Sequence, residues 1–102
     1  MILKYKHKYD NHEIEALKYE GANSIDEVET FTHLRAHDIY MIDPKDKNAV
    51  TCVVSTPIGV GCYTPTVLTP GMYLARLTDG TLKSFVPCMF ESIYEEIKDK
   101  EE

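Results

Sequence analysis

Between two stretches rich in β-branched residues lies Thr56-Pro57-Ile58-Gly59-Val60-Gly61-Cys62-Tyr63-Thr64, whose residue types come closest to those of a ligand loop. Gly59 and Gly61 would let a ligand approach backbone amides, and Thr56, Thr64 and Tyr63 add hydroxyl and stacking contacts. Arg76 and Lys83, with Arg35 as a lesser candidate, are the cations that would answer a phosphate if the fold brought them near. The chemistry implied is capture of a nucleotide-like small molecule. The segment is not a P-loop, because it lacks the terminal Gly-Lys-Ser/Thr and a following helix. A plain bulged turn between two strands accounts for the same residues without a ligand.

Other reactive side chains form weaker patterns. His33 and His37 stand at a spacing that would place two metal ligands on one helix face. They lack the intervening glutamate of His-Glu-x-x-His, they fall where the helix is expected to end, and Asp38 joins them only if the chain turns back. No metal is assigned. Cys52, Cys62 and Cys88 are odd in number and widely spaced, without Cys-x-x-Cys geometry, and read as reduced thiols of the core. No nucleophile elbow pairs any of them with a histidine, so no catalytic residue and no cofactor is expected.

The elements that must position these residues follow from periodicity. Lys4, Lys6 and Lys8 alternate with Leu3, Tyr5, His7 and Tyr9, the period of an edge strand with one charged face. Asp10, Asn11 and His12 supply turn chemistry before a second strand over Glu13 to Tyr19. Ser24 followed by Glu27 fits a capping box, so a helix is expected from there to Leu34 or Arg35. Ile39 to Ile42 and Ala49 to Ser55 should pair across the polar turn 43–48. A further strand covers Cys62 to Leu68, and Pro65 places it at an edge or a bulge. Met72 to Leu77 and Leu82 to Pro87 form a hairpin around Asp79-Gly80. Phe90, Ile93, Tyr94 and Ile97 then recur at i, i+3, i+4 and i+7, which predicts a C-terminal amphipathic helix, with residues 99–102 fraying. The fold class expected is α+β: a small, mostly antiparallel sheet with one internal helix and one C-terminal helix.

Length and charge bound the rest. The chain has 102 residues, enough for one core, so residues 1–102 are expected to form a single domain. Its net charge of −6 repels nucleic acid, and no DNA partner is expected. No apolar run is long enough to span a bilayer and Met-Ile-Leu-Lys-Tyr-Lys-His-Lys lacks the centre of a secretory signal, so an intracellular protein without a membrane partner is expected.

The order of elements resembles a widespread family of small bacteriophage and prophage proteins of uncharacterised function. The likeness rests on the lysine-rich strand and Ile14-Glu15-Ala16-Leu17-Lys18-Tyr19, then Gly71-Met72-Tyr73-Leu74, Asp79-Gly80, Val86-Pro87-Cys88, and Phe90 with Tyr94. Met72 stands where the family pattern has an acidic residue, so no role of that carboxylate carries over. Phe31 to Leu68 matches poorly. The resemblance implies an accessory protein in the cytoplasm of an infected bacterial host. With no catalytic signature, the expected activity is to counter host immunity by binding, as an oligomeric sponge for a nucleotide immune signal. The alternative is a protein–protein inhibitor of a host defence enzyme or nuclease, using an acidic face of Asp26, Glu27 and Glu29. A virion or assembly component is a third reading.

Overall fold

A computed structural model describes residues 2–98. The elements run β1 (Ile2–His7), β2 (Glu13–Lys18), a 3-10 turn (Ala22–Ser24), α1 (Ile25–Thr32), β3 (Ala36–Met41), β4 (Val50–Gly59), β5 (Cys62–Leu68), β6 (Tyr73–Arg76), β7 (Leu82–Phe85), α2 (Pro87–Ile93) and β8 (Tyr94–Glu96). The fold is α+β, as the periodicity predicts, but the strands form two antiparallel sheets rather than one: β7-β6-β2-β1-β8 and β3-β4-β5. β2 and β6 are neighbours, with Glu15 opposite Arg76 and Leu17 opposite Leu74. The helix α1 and the whole second sheet are therefore inserted between two adjacent strands of the first.

Side-chain alternation sorts the first sheet into two buried faces. Leu17 and Leu74 join Tyr19, Val28, Phe31, Cys52, Val54 and Leu68 in a core shared with α1 and the second sheet. Tyr5, Ile14, Ala16, Tyr73 and Ala75 belong to the opposite cluster, closed by Phe90 and Tyr94. Of the three cysteines only Cys52 is in the core; Cys62 and Cys88 are exposed, against expectation.

The C-terminal helix is shorter than its spacing suggests. It ends at Ile93, and Tyr94 is extended at φ −122° and ψ 149°. The free edge of β1 explains the switch. Tyr94, Glu95 and Glu96 pair with His7, Lys6 and Tyr5, and the Lys8 amide donates to the Ile93 carbonyl at 2.8 Å. Hydrogen bonds to a waiting strand outweigh about one more turn of a helix too short to be stable alone. Consequently β1 is covered by β8 over Tyr5–His7 and is not the open edge predicted. Residues 99–102, expected to fray, lie outside the described residues.

The capping box also changes role. Ser24 precedes α1, but its buried hydroxyl accepts the Glu20 amide at 3.0 Å and makes no cap bond to the helix. The helix stops at Thr32 because His33 turns left-handed at φ 60°. The Asp79-Gly80 hairpin is confirmed with a longer loop than expected, closed by Leu77 N to Thr81 O at 2.8 Å.

Tyr19 ties the layers together: it is fully buried, and its hydroxyl donates to the Val50 carbonyl at 2.8 Å at the start of β4. Burial pushes its ionisation well above the usual tyrosine range. A folded-state value raised in this way means that its contribution to stability is complete below the unfolded value of about 10 and is lost as pH rises beyond it. Tyr19→Phe leaves a buried carbonyl unpaired and should cost about 1–3 kcal/mol in urea unfolding at neutral pH. It should also flatten the alkaline fall in stability; an unchanged midpoint and an unchanged alkaline limb would refute this role.

Candidate functional site

The segment read as a ligand loop is the distal half of a regular hairpin. β4 runs through Thr56 and Pro57 to Gly59, and β5 returns from Cys62, with Thr56 opposite Thr64 and Pro57 opposite Tyr63. Only Val60 and Gly61 form the turn, Gly61 with φ 72°. Proline and glycine suggested an irregular loop, yet Pro57 sits beside a register shift and Pro65 lies in an edge strand, the two places a sheet tolerates proline.

The hairpin brings Thr56, Gly59, Gly61, Tyr63 and Thr64 together, but not around a cavity. The Thr56 hydroxyl is buried, donating to the Thr64 carbonyl at 3.2 Å and lying 3.1 Å from the Thr66 hydroxyl. Gly59 and Gly61 face open space. Arg76 and Lys83 are on the first sheet. Arg76 is already engaged: it donates to the Phe31 carbonyl, its guanidinium carbon lies 4.4 Å from the Phe31 ring centroid, and Glu15 is 3.7 Å away. Lys83 lies over the Phe85 ring at 5.3 Å. A shallow depression is lined by Lys4, Glu13, Ile14, Glu15, Arg76 and Leu77 and includes no hairpin residue.

What the hairpin does present is an uncharged apolar surface. β4 buries Cys52, Val54 and Thr56 and turns Val53, Ser55 and Pro57 outward; on β5, Leu68 and Thr66 point in while Val67, Pro65 and Tyr63 point out. Val53 is directly opposite Val67, and Pro57 opposite Tyr63. Beyond the core the tip projects into solvent, with Ile58 at 69%, Tyr63 at 61% and Val60 fully exposed. On β3 the same face continues through His37, opposite Val53, and Tyr40, opposite Thr51; Ile39, Met41 and Ile42 beside them are also exposed. The sequence carries a signal for this surface: from Asn48 to Ala75 there is no Asp, Glu, Lys, Arg or His, in a chain that is 27% charged overall.

The remaining candidates disperse. His33 and His37 do not share a helix face; His37 lies in β3, its Nδ1 2.8 Å from Asp38 and its Nε2 2.9 Å from the Ser55 hydroxyl. Arg35 is exposed between α1 and β3. Asp26, Glu27 and Glu29 do not make one exposed patch, since the Glu29 carboxylate accepts the Ala36 amide at 2.8 Å and Asp26 alone of the three is exposed. The Cys52 thiol is buried, and burial pushes its ionisation up, an inert arrangement for a nucleophile. Among the described residues, no helix is long and apolar enough to cross a membrane.

A different cluster went unread in the sequence. The turn from β1 to β2 gathers His7, Asp10 and His12, whose ligand-type atoms lie within 4.8 Å of one another. The clue was available: residues flanking a tight hairpin turn oppose each other across the strands, so two histidines there share a face. No family model, curated protein or solved structure matches the chain.

Proposed function

We propose that this protein is a non-enzymatic interaction module, of the phage accessory kind, that disables a host defence protein by docking the outer face of its second sheet against it. The observation that supports this reading is the uncharged, outward-facing surface of Val53, Val67, Tyr63, Ile58 and Val60 on an otherwise acidic molecule. Contiguous exposed apolar surface is uncommon on monomers and marks contact surfaces. The sheet inserted between β2 and β6 is also the stretch that matches the phage pattern poorly, which suits a part that carries this protein's own contact. The nucleotide-sponge form has less support, since the Thr56 hydroxyl is directed inward and Arg76 is committed to Phe31.

The test is native mass spectrometry of tag-free protein recovered from host cells, beside the Val53→Glu/Val67→Glu double variant. The wild type should retain a protein partner in fixed stoichiometry. The variant, with an unchanged circular dichroism spectrum, should bind that partner at least about tenfold more weakly, because a carboxylate cannot enter an apolar contact without a counter-charge. A wild type that carries no protein, or a variant that binds equally, overturns the reading; a small molecule released on denaturation would favour the sponge.

A further inference from the structure

We propose that His7, Asp10 and His12 form a three-ligand site for a divalent transition-metal ion of the zinc class, open to solvent on its remaining side. The site is separate from the apolar sheet face and goes beyond the docking function.

The backbone builds it from a short turn. His7 closes β1, His12 precedes β2, and the two residues oppose each other, with His7 N donating to His12 O at 2.8 Å. Opposed residues of an antiparallel pair project from the same face. Here the two imidazoles stack with centroids 4.7 Å apart and planes 27° apart. Asn11 adopts φ 66°, curling the turn so that the Asp10 carboxylate returns toward both rings. One carboxylate oxygen, Oδ1, contacts the Nδ1 atom of each histidine, at 3.4 Å for His7 and closer for His12.

These distances suit a metal. Donors bound at about 2.0–2.1 Å around a tetrahedral ion stand about 3.3 Å apart, so His7 Nδ1 and Asp10 Oδ1 already have ligand spacing. The hydrogen-bonded His12–Asp10 pair must open, as the ion replaces the proton between them, and the two stacked rings must tilt so that both Nδ1 lone pairs converge on the ion. The present bonds on His7 Nδ1 are weak, the amides of Tyr9 and Asp10 at 3.2 Å and 3.3 Å, and both are replaceable. Ligation through His12 Nδ1 places its proton on Nε2, and Nε2 is 3.4 Å from the Tyr94 hydroxyl, an outer partner of the kind that orients metal-bound imidazoles. Two imidazoles and one carboxylate select a borderline ion; calcium and magnesium need more oxygen.

The experiment titrates zinc chloride into tag-free, chelator-treated full chain, followed by calorimetry and native mass spectrometry, with cobalt(II) absorption as a second readout of coordination. One ion per chain at micromolar affinity or tighter is expected. His7→Ala and His12→Ala should each weaken binding at least about tenfold and abolish the cobalt bands, while retaining the wild-type circular dichroism spectrum. His33→Ala/His37→Ala and Cys62→Ser/Cys88→Ser should leave affinity unchanged. Binding weaker than millimolar overturns the proposal. So does binding that survives His12→Ala or follows the control residues.

Discussion

Phe90→Ala should remove about 3–5 kcal/mol of folding stability, the largest loss expected from any single truncation of the aromatic layer. Phe90 is 1% exposed and sits at the centre of the cluster that α2 presses onto the first sheet. Tyr73 stacks on it at 4.2 Å and Tyr94 at 5.0 Å, while Tyr5 and Phe85 approach by their edges at 4.9 Å and 5.4 Å. Removing the ring leaves four aromatic neighbours facing a void that none can fill without leaving its own rotamer. A domain of this size holds about 5–15 kcal/mol in total, so the variant should unfold at much lower urea concentration and lose roughly 15–30 °C of thermal midpoint. Phe90→Leu, which keeps most of the volume, should recover a large part of this. A loss below about 1.5 kcal/mol for alanine would mean that α2 is not docked on the sheet as described.

Phe90 also shows how far the sequence could be read. Its burial followed from the spacing with Tyr94, and both side chains do reach one cluster. The conformation linking them was half right: helix as far as Ile93, strand from Tyr94. What decides the switch is the pairing of β8 with β1, at the other end of the chain, which leaves no local trace in a run of Tyr, Glu and Ile. The same limit hid the second sheet. Alternation identified β2, β4, β5 and β6 as strands, but it cannot say that β2 skips the next three strands to pair with β6. At the hairpin, Pro57, Gly59 and Gly61 suggested a loop because they weaken strands in general. Their positions at a register shift and a tip are tertiary facts. The His7–His12 cluster is the opposite case: the two histidines flank the turn that Asp10 and Asn11 mark, so their opposition across the strands is a local feature, on the face of β1 away from its lysines.

Gly21→Ala should be among the most damaging substitutions outside the core, at about 3 kcal/mol or more. Gly21 has φ 113° and ψ −150°, a region reserved for glycine, and a side chain held there costs about 1–3 kcal/mol by itself. The packing adds to this: a Cβ would stand 2.0 Å from the Asn48 carbonyl oxygen and 3.0 Å from the Asn48 Nδ2. The obstruction is backbone, so no rotamer relieves it and the segment carrying Asn48 must move. That movement breaks a clamp. The Ala22 amide donates to Asn48 O at 2.9 Å, the Asn23 amide to Asn48 Oδ1 at 2.9 Å, and Asn48 Nδ2 to the Glu20 carbonyl at 2.9 Å, each worth about 1 kcal/mol net. Gly61→Ala is the matched control, since Gly61 also has positive φ, 72°, but nothing within 4 Å of its Cβ position. It should cost only the left-handed backbone penalty of about 1–2 kcal/mol. Urea unfolding of the pair separates conformational strain from steric exclusion, and equal losses would show that the Asn48 clamp contributes nothing. Because Val50 follows Asn48 and receives the Tyr19 hydroxyl, releasing the clamp loosens the start of β4 and with it the hold of the first sheet on the second. The apolar hairpin tip should then lose its fixed orientation before the first sheet unfolds, seen as earlier amide exchange in β4 and β5 than in β2 and β6.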